Sequence, residues 1–206
     1  RVFSILHDAK PISEGKLDIK VIKGELEFRE LSYDHNRLKL FENFTLRLES
    51  GQIIALVGKS GVGKSTLFNL ALRMLEPKKG QILLDGKDIR EYKLNVLRHH
   101  VAIVNQKAFL FSNTILHNIL YGHPEQKSQF KEVVNISKMV NVHKAIMGLS
   151  SGYHTMIREN GEPLSTGQIR QVSIARAILR DPKVLLLDDP VAGLDADSVE
   201  HLVTAI

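Results

Sequence analysis

The feature that most constrains this chain is a glycine-rich loop at residues 58–65, which matches the pattern G-x-x-x-x-G-K-[ST]. Before the loop, residues 53–57 form a short apolar run that predicts a buried parallel strand. After it, residues 66–75 have the spacing and length of a helix. A chance glycine turn is the alternative interpretation, but the flanking strand and helix favour a phosphate-binding loop.

The chemistry of such a loop follows from its residue types. Glycines let backbone N–H groups turn inward around a polyphosphate, and the N-terminus of the following helix favours an anion. Lys64 is expected to reach the β- and γ-phosphates, and the Ser65 hydroxyl to ligate Mg²⁺. The predicted nucleotide-binding residues of this segment are Gly58, Lys59, Ser60, Gly61, Val62, Gly63, Lys64, Ser65 and Thr66.

Length and composition narrow the class of protein. A chain of 206 residues fits one α/β domain better than two. The net charge of +5 is spread along the chain, which favours a solvated basic surface, and no nucleic-acid partner is expected. The lack of cysteine excludes disulfides and thiolate metal sites. No run of 18 apolar residues predicts a membrane span.

The pattern along the chain places the main elements. A polar linker is expected over residues 7–23, after what looks like the end of a helix at residues 1–6. Residues 24–33 alternate between apolar and polar and predict a half-exposed strand, with an antiparallel continuation through Leu46 and Leu48. Further strands are expected at residues 81–86, 101–104 and 184–187, helices mostly over residues 113–180, and a last helix from Asp197.

Polar side chains follow two of the predicted strands. Asp188 ends the run at residues 184–187, and ligands in open parallel sheets bind at the carboxyl ends of strands, so Asp188 could hold Mg²⁺ through water. Asp189 could orient or deprotonate an attacking water, or it could be a turn carboxylate before Pro190. Gln106 follows the strand at residues 101–104 and could touch Mg²⁺ and the water, or be a surface glutamine.

A second candidate anion site precedes the helix predicted over residues 169–179. Ser165 and Gly167 stand at its N-terminus, where backbone N–H groups can bind an anion. The alternative is that Ser165 is a plain N-cap.

Taken together, these motifs resemble the nucleotide-binding (ATPase) domain of an ABC transporter. The resemblance covers nearly the whole chain and assigns the phosphate loop as Walker A, Gln106 as the Q-loop, residues 164–168 as the signature, residues 184–188 as Walker B and residues 193–195 as the D-loop. It implies an α/β P-loop core of mostly parallel strands with flanking helices. It also implies an N-terminal antiparallel β-subdomain and a helical subdomain at about residues 113–180, within a domain spanning residues 24–206. Residues 1–23 would then be the linker from the transmembrane part.

The resemblance also implies roles for single residues. Tyr33 matches the aromatic residue that stacks on adenine. Ser65, Gln106 and Asp188 are implied as the Mg²⁺ ligands. Asp189 takes the position of the catalytic carboxylate, with Lys64 and Gln106 beside it in the reaction. In this family two domains dimerise head to tail, and the residues expected to act on the partner's ATP are Ser165, Thr166, Gly167 and Gln168.

Three segments resemble exporters whose membrane and ATPase parts share one polypeptide. They are residues 1–6, residues 108–119 after the Q-loop, and residues 159–161 before the signature. The implied function is export of a peptide, protein, lipid or drug across a membrane. The implied partners are a second nucleotide-binding domain and transmembrane domains, and the implied location is the cytoplasmic face of a bacterial inner membrane or its equivalent.

The chain departs from the family pattern at three points. The family usually has Glu where Asp189 stands, so slow hydrolysis with retained ATP binding is expected. Thr166 replaces a usual Gly, with a modest expected effect. The switch histidine is expected beyond Ile206, since His201 is too close to the D-loop, and the first residue, Arg1, is not Met. Both observations indicate a segment of a longer protein.

Two other functions stay open on sequence grounds. The first is a degenerate, ATP-holding regulatory domain of a heterodimeric exporter, which the short carboxylate of Asp189 favours. The second is a soluble cassette ATPase of DNA repair or translation, against which the exporter-like residues 1–6 argue.

Overall fold

The computed structural model describes residues 12–19, 21–35, 38–121 and 130–205. The chain divides into two compact units, residues 1–100 and residues 101–206. The helix end predicted at residues 1–6 lies outside the described residues.

A four-stranded antiparallel sheet organises the first unit. Its strands are β1 (Leu26–His35), β2 (Leu38–Leu48), β3 (Lys79–Leu84) and β4 (Lys87–Asp88), in the order β2-β1-β3-β4. The alternating strand predicted at residues 24–33 is therefore confirmed as β1, which buries Leu26, Phe28 and Leu31. The spacing between Phe28 and Leu31 breaks strict alternation, because the register shifts there and Glu30 adopts a left-handed φ of 49°.

Two helices complete the first unit: α1 (Lys64–Ala71) and α2 (Leu94–His100), with a 3₁₀ turn at Ile89–Glu91. The helix predicted after the phosphate loop is confirmed, although it ends four residues earlier than expected. The buried strand predicted at residues 53–57 is wrong for this structure. Those residues belong to no strand, and Ile53 and Val57 are 75% and 95% exposed. An apolar run becomes a strand only through hydrogen bonds to a neighbouring strand, and residues 53–57 join no ladder of the described sheets.

Two parallel strands form the sheet of the second unit. They are β5 (Val101–Val104) and β6 (Val184–Leu187), paired in register from Val101 opposite Val184 to Val104 opposite Leu187. Both strands were predicted from their apolar runs. The Asp188 amide N–H extends the ladder by donating to the Val104 carbonyl at 2.9 Å. The residues that follow the two strands therefore emerge at the same edge.

Helices make up most of the second unit. They are α3 (Ile115–Leu120), α4 (Phe130–Met139), α5 (His143–Met147), α6 (Thr166–Leu179) and α7 (Ala196–Ala205), with a 3₁₀ turn at Gly152–His154. One apolar cluster joins α3, α4 and α6 to the strands, and its fully buried members include Ile115, Ile119, Val133 and Val172. Helix α6 is central to this core, because eight of its fourteen residues are buried. Within the described ranges, every helix is too short or too polar to cross a lipid bilayer.

Candidate active site

The phosphate loop has the backbone that its glycines predict. Gly61 and Gly63 adopt left-handed φ values of 80° and 107°, and α1 begins at the next residue, Lys64. The Lys64 ammonium donates hydrogen bonds to the Gly58 carbonyl at 2.8 Å and the Lys59 carbonyl at 3.1 Å. The lysine side chain is therefore folded back over the loop that precedes it.

Two observations on this loop bear on whether it fits a phosphate. A helix leaves its first N–H groups without partners inside the helix, and the loop delivers the chain directly into the first turn of α1. A Cβ built on Gly61 would meet nothing within 4 Å, so the loop is open on that side. With the Lys64 ammonium held against the same loop, the residues present fit a polyphosphate.

An aromatic residue that the motif did not reveal packs against this loop. A Cβ on Gly63 would lie 2.8 Å from Cζ of Phe41, so a larger residue would displace this ring as well as require a left-handed φ. Phe41 lies opposite Tyr33 in the β1–β2 register, and Tyr33 is half-buried. The sequence feature that could have drawn attention to Phe41 is the pair of aromatic residues Phe41 and Phe44 in β2, whose ring centroids lie 5.4 Å apart.

In the second unit, the parallel pair brings Gln106 and Asp189 together. Gln106 Nε2 lies 3.4 Å from Asp189 Oδ2, and both residues are exposed. Asp188 is half-buried at the end of β6. Asp189 adopts a left-handed φ of 53°, which is uncommon for a residue other than glycine and turns the chain immediately after the strand.

A buried arginine that sequence reasoning missed lies behind this pair. Arg170, in the second turn of α6, is 4% exposed. It donates from Nη1 to the Asp189 carbonyl at 2.8 Å, and from Nη2 to the Gln106 carbonyl. The one sequence feature that could have indicated this role is that Arg170 is a charged residue on the face of an amphipathic helix, and that face is expected to be buried.

The signature segment begins α6 with a capping box. The Ser165 hydroxyl accepts a hydrogen bond from the Gln168 amide N–H at 3.3 Å, and the Gln168 side-chain oxygen accepts one from the Ser165 N–H at 2.9 Å. The N-cap interpretation of Ser165 is thus correct for this structure, and it leaves the anion role untested. Thr166 takes the first helical position, and both Ser165 and Thr166 are exposed.

The same helix approaches the D-loop at Gly167 and contacts α7 through Gln171. A Cβ on Gly167 would lie 2.6 Å from the Gly193 carbonyl oxygen, so the helix and the loop approach each other closely there. The Gln171 amide donates to the Ser198 hydroxyl at 2.8 Å. Asp195 accepts from the Ser198 N–H at 2.7 Å, and this hydrogen bond holds the pKa of the Asp195 carboxyl below its usual value.

The predicted residues fall in both units. Tyr33 and residues 58–66 belong to the first unit, whereas Gln106, the signature, Asp188 and Asp189 belong to the second. His201 lies in α7, where its Nδ1 contacts the Asp197 carbonyl oxygen at 2.8 Å, in agreement with the expectation that it is a helical residue.

Comparisons with known proteins now give the family. The family model described as "ABC transporter" matches residues 41–192. An "ATP-dependent lipid A-core flippase" of Photorhabdus laumondii subsp. laumondii is 41% identical over the whole chain, which spans 36% of that protein. A "Sophorolipid transporter" of Starmerella bombicola is 40% identical over 90% of the chain, which spans 15% of it.

A solved structure agrees with these sequence relatives. The structure of a bacterial Atm1-family ABC exporter with ATP bound superposes with a TM-score of 0.87 at 30% identity, covering 99% of this chain and 36% of that one. The α/β P-loop class predicted from the sequence is thereby confirmed, including the N-terminal antiparallel sheet and the parallel pair. The chain belongs to the ABC transporter family and is a nucleotide-binding ATPase domain that resembles those of its exporters.

Proposed function

We propose that this chain is the motor domain of an ABC exporter, which binds and hydrolyses Mg-ATP to drive a substrate across a membrane. The observation that carries the proposal is the pairing of Gln106 Nε2 with Asp189 Oδ2 at 3.4 Å, at the edge where two parallel strands end. An amide and a carboxylate side by side at the ends of the strands can together hold a water for attack on a phosphoryl group.

The proposed roles follow from the chemistry of each side chain. Lys64 and the backbone of residues 58–63 hold the phosphates, and Tyr33 stacks on the base. Ser65, Gln106 and Asp188 are the proposed Mg²⁺ ligands, where the ion would neutralise phosphate charge. Asp189 orients the attacking water and accepts its proton. Phosphoryl transfer needs mainly such positioning and charge neutralisation.

The proposed active unit is a head-to-tail dimer. The pattern G-x-x-x-x-G-K-[ST] occurs once in the chain, whereas Ser165 and the N-terminus of α6 offer a second place for an anion. We propose that Ser165, Thr166, Gly167 and Gln168 contact the ATP held by a partner domain. Release of the γ-phosphate would then separate the two domains and drive the transporter between its states.

The substrate class and setting come from the relatives. Two of them are named as a lipid A-core flippase and a sophorolipid transporter, which favours a lipid or glycolipid substrate over a peptide, protein or drug. The relatives are about three times or more as long as this chain, since it spans 36% and 15% of their lengths. We therefore propose transmembrane domains as partners and the cytoplasmic face of a membrane as the location.

A degenerate regulatory domain is the second candidate, and the short side chain of Asp189 favours it. One measurement separates these two candidates, and a second tests the proposed dimer. Phosphate release by the wild-type chain under saturating Mg-ATP should be measurable but slow. The Asp189→Asn variant should form an ATP-dependent dimer in size-exclusion chromatography, since it retains the nucleotide. A wild-type chain that binds ATP without releasing phosphate would support the regulatory function. A variant that binds ATP as a monomer would contradict the dimer.

A further inference from the structure

Arg170 is a buried cation to which the described part of the chain offers no carboxylate partner. Its side chain is 4% exposed, and no described carboxylate forms an ion pair with it. Its Nε–H has no acceptor among the described residues. Burial of a cation without a counter-ion is unfavourable for folding. Its burial therefore has to be offset by the hydrogen bonds that its two terminal nitrogens make.

The two contacts that Arg170 does make are both to backbone carbonyls of predicted active-site residues. Nη1 donates to the Asp189 carbonyl at 2.8 Å and Nη2 donates to the Gln106 carbonyl. Gln106 and Asp189 are 83 positions apart in sequence. A guanidinium is a rigid planar fork, so two acceptors bound to its two terminal nitrogens are held at a fixed separation.

The side chains of the same two residues face each other only loosely. The distance of 3.4 Å between Gln106 Nε2 and Asp189 Oδ2 is long for an N–H···O hydrogen bond, and both side chains are exposed to water. This contact is too weak to hold its own geometry. The peptide of Asp189 is also in the left-handed region, a conformation that needs support from its surroundings. Arg170 supplies that support from the buried side.

We infer that Arg170 is a positioning residue for ATP hydrolysis, which ties the Gln106 and Asp189 carbonyls together so that the amide and the carboxylate stay opposed. The inference rests on the proposed function, because it gives this pair the task of placing the attacking water. Arg170 reaches the reaction only through the backbone of these two residues.

The test compares Arg170→Gln and Arg170→Lys with Arg176→Gln in the 206-residue chain. Arg176 is a matched control, because it lies in the same helix and donates to the backbone carbonyls of Phe109 and Asn118, away from Asp189. Arg170→Gln should lower kcat about 10²-fold, the usual cost of a misplacement near 1 Å, with KM and Kd for Mg-ATP unchanged. Arg170→Lys should restore little of the lost kcat, because a single ammonium cannot hold two carbonyls at a fixed separation as a planar guanidinium does. Arg176→Gln should lower the melting temperature with kcat nearly unchanged.

Hydrogen–deuterium exchange gives a readout that does not depend on turnover. Arg170→Gln should speed exchange at residues 105–109 and 188–192 together, whereas Arg176→Gln should act on residues 109–121 alone. If Arg170→Gln left kcat within about twofold of wild type, or left exchange in both segments unchanged, the inference would be overturned. If the wild-type chain bound Mg-ATP but released no phosphate, the proposed function would fail, and the exchange result would still decide whether Arg170 ties the two segments. If Arg170→Gln did not fold, Arg170→Lys would carry both measurements.

Discussion

At the scale of single residues, the length of one side chain sets the expected rate. Asp189 is one methylene shorter than the glutamate usual at this position, which withdraws the carboxylate by roughly 1.5 Å. Asp189→Glu should raise kcat for ATP by as much as about 10²-fold, because it restores reach toward the water, while Kd for Mg-ATP stays the same. The rate of phosphate release under saturating Mg-ATP gives kcat for the wild-type chain and for Asp189→Glu.

A second aspartate gives the control for this substitution. Asp181 is also exposed and also has a left-handed φ, of 50°, but its carboxylate pairs with Lys183. Asp181→Glu also places a glutamate at a left-handed φ, but away from the site, so the turnover of this variant should equal that of wild type. Equal rates for both variants would show that side-chain length at residue 189 does not limit hydrolysis.

The glycine at residue 167 gives a stability prediction. Alanine is ordinarily favoured over glycine in a helix by about 1 kcal/mol. Here the new Cβ would lie 2.6 Å from the Gly193 carbonyl oxygen, and backbone cannot move aside cheaply. Gly167→Ala should therefore destabilise the chain by about 1–3 kcal/mol, measured by urea denaturation. Gly148→Ala is the control, because its Cβ would meet only an ordinary contact at 3.4 Å. A stabilising Gly167→Ala would contradict the close approach.

The limits of sequence reasoning are clearest at this scale. Sequence reasoning found the loop glycines, Gln106 and Asp189 because the residue type at each of these motif positions indicates its chemical role. Arg170 and Phe41 were not found, because each acts through a tertiary contact. Arg170 reaches carbonyls 64 and 19 positions away, and such distances leave no local pattern.

At the scale of elements, helix α6 raises the question whether Ser165 caps the helix or binds a phosphate. Ser165→Asp separates the two roles, because aspartate is an equally good N-cap and suits the helix dipole, yet it repels a phosphate. This variant should keep wild-type stability but lose the ATP-dependent dimer that Asp189→Asn forms. Both measurements are made in the Asp189→Asn background.

Ser165→Ala is the complementary change. It removes one half of the capping box, so it should cost about 1 kcal/mol of stability and weaken the dimer less than aspartate does. A Ser165→Asp variant that still dimerised with ATP would leave Ser165 with the capping role alone.

Elements were predicted well where the signal was local. Strands β1, β5 and β6 and helices α1 and α6 followed from periodicity, turn residues and caps. Residues 53–57 had the composition of a buried strand, but pairing depends on a partner elsewhere in the chain, and composition does not supply one.

At the scale of the whole molecule, the account depends on the phosphate loop. The parallel pair and helix α6 can place Gln106 and Asp189 together, but they have a reaction to perform only if a triphosphate is bound. Family membership makes this domain a nucleotide-binding ATPase. The residues that bind the nucleotide are proposed from the loop geometry and the family resemblance.

The most direct test is the affinity of the purified chain for Mg-ATP, measured by calorimetry for wild type, Lys64→Ala and Lys87→Ala. Lys87 is an exposed lysine of β4 and controls for the loss of one positive charge. A hydrogen bond to a charged group contributes about 1.5–3 kcal/mol, so Lys64→Ala should weaken binding by about tenfold or more and Lys87→Ala should not. No measurable binding by the wild-type chain, or equal binding by Lys64→Ala, would contradict the account.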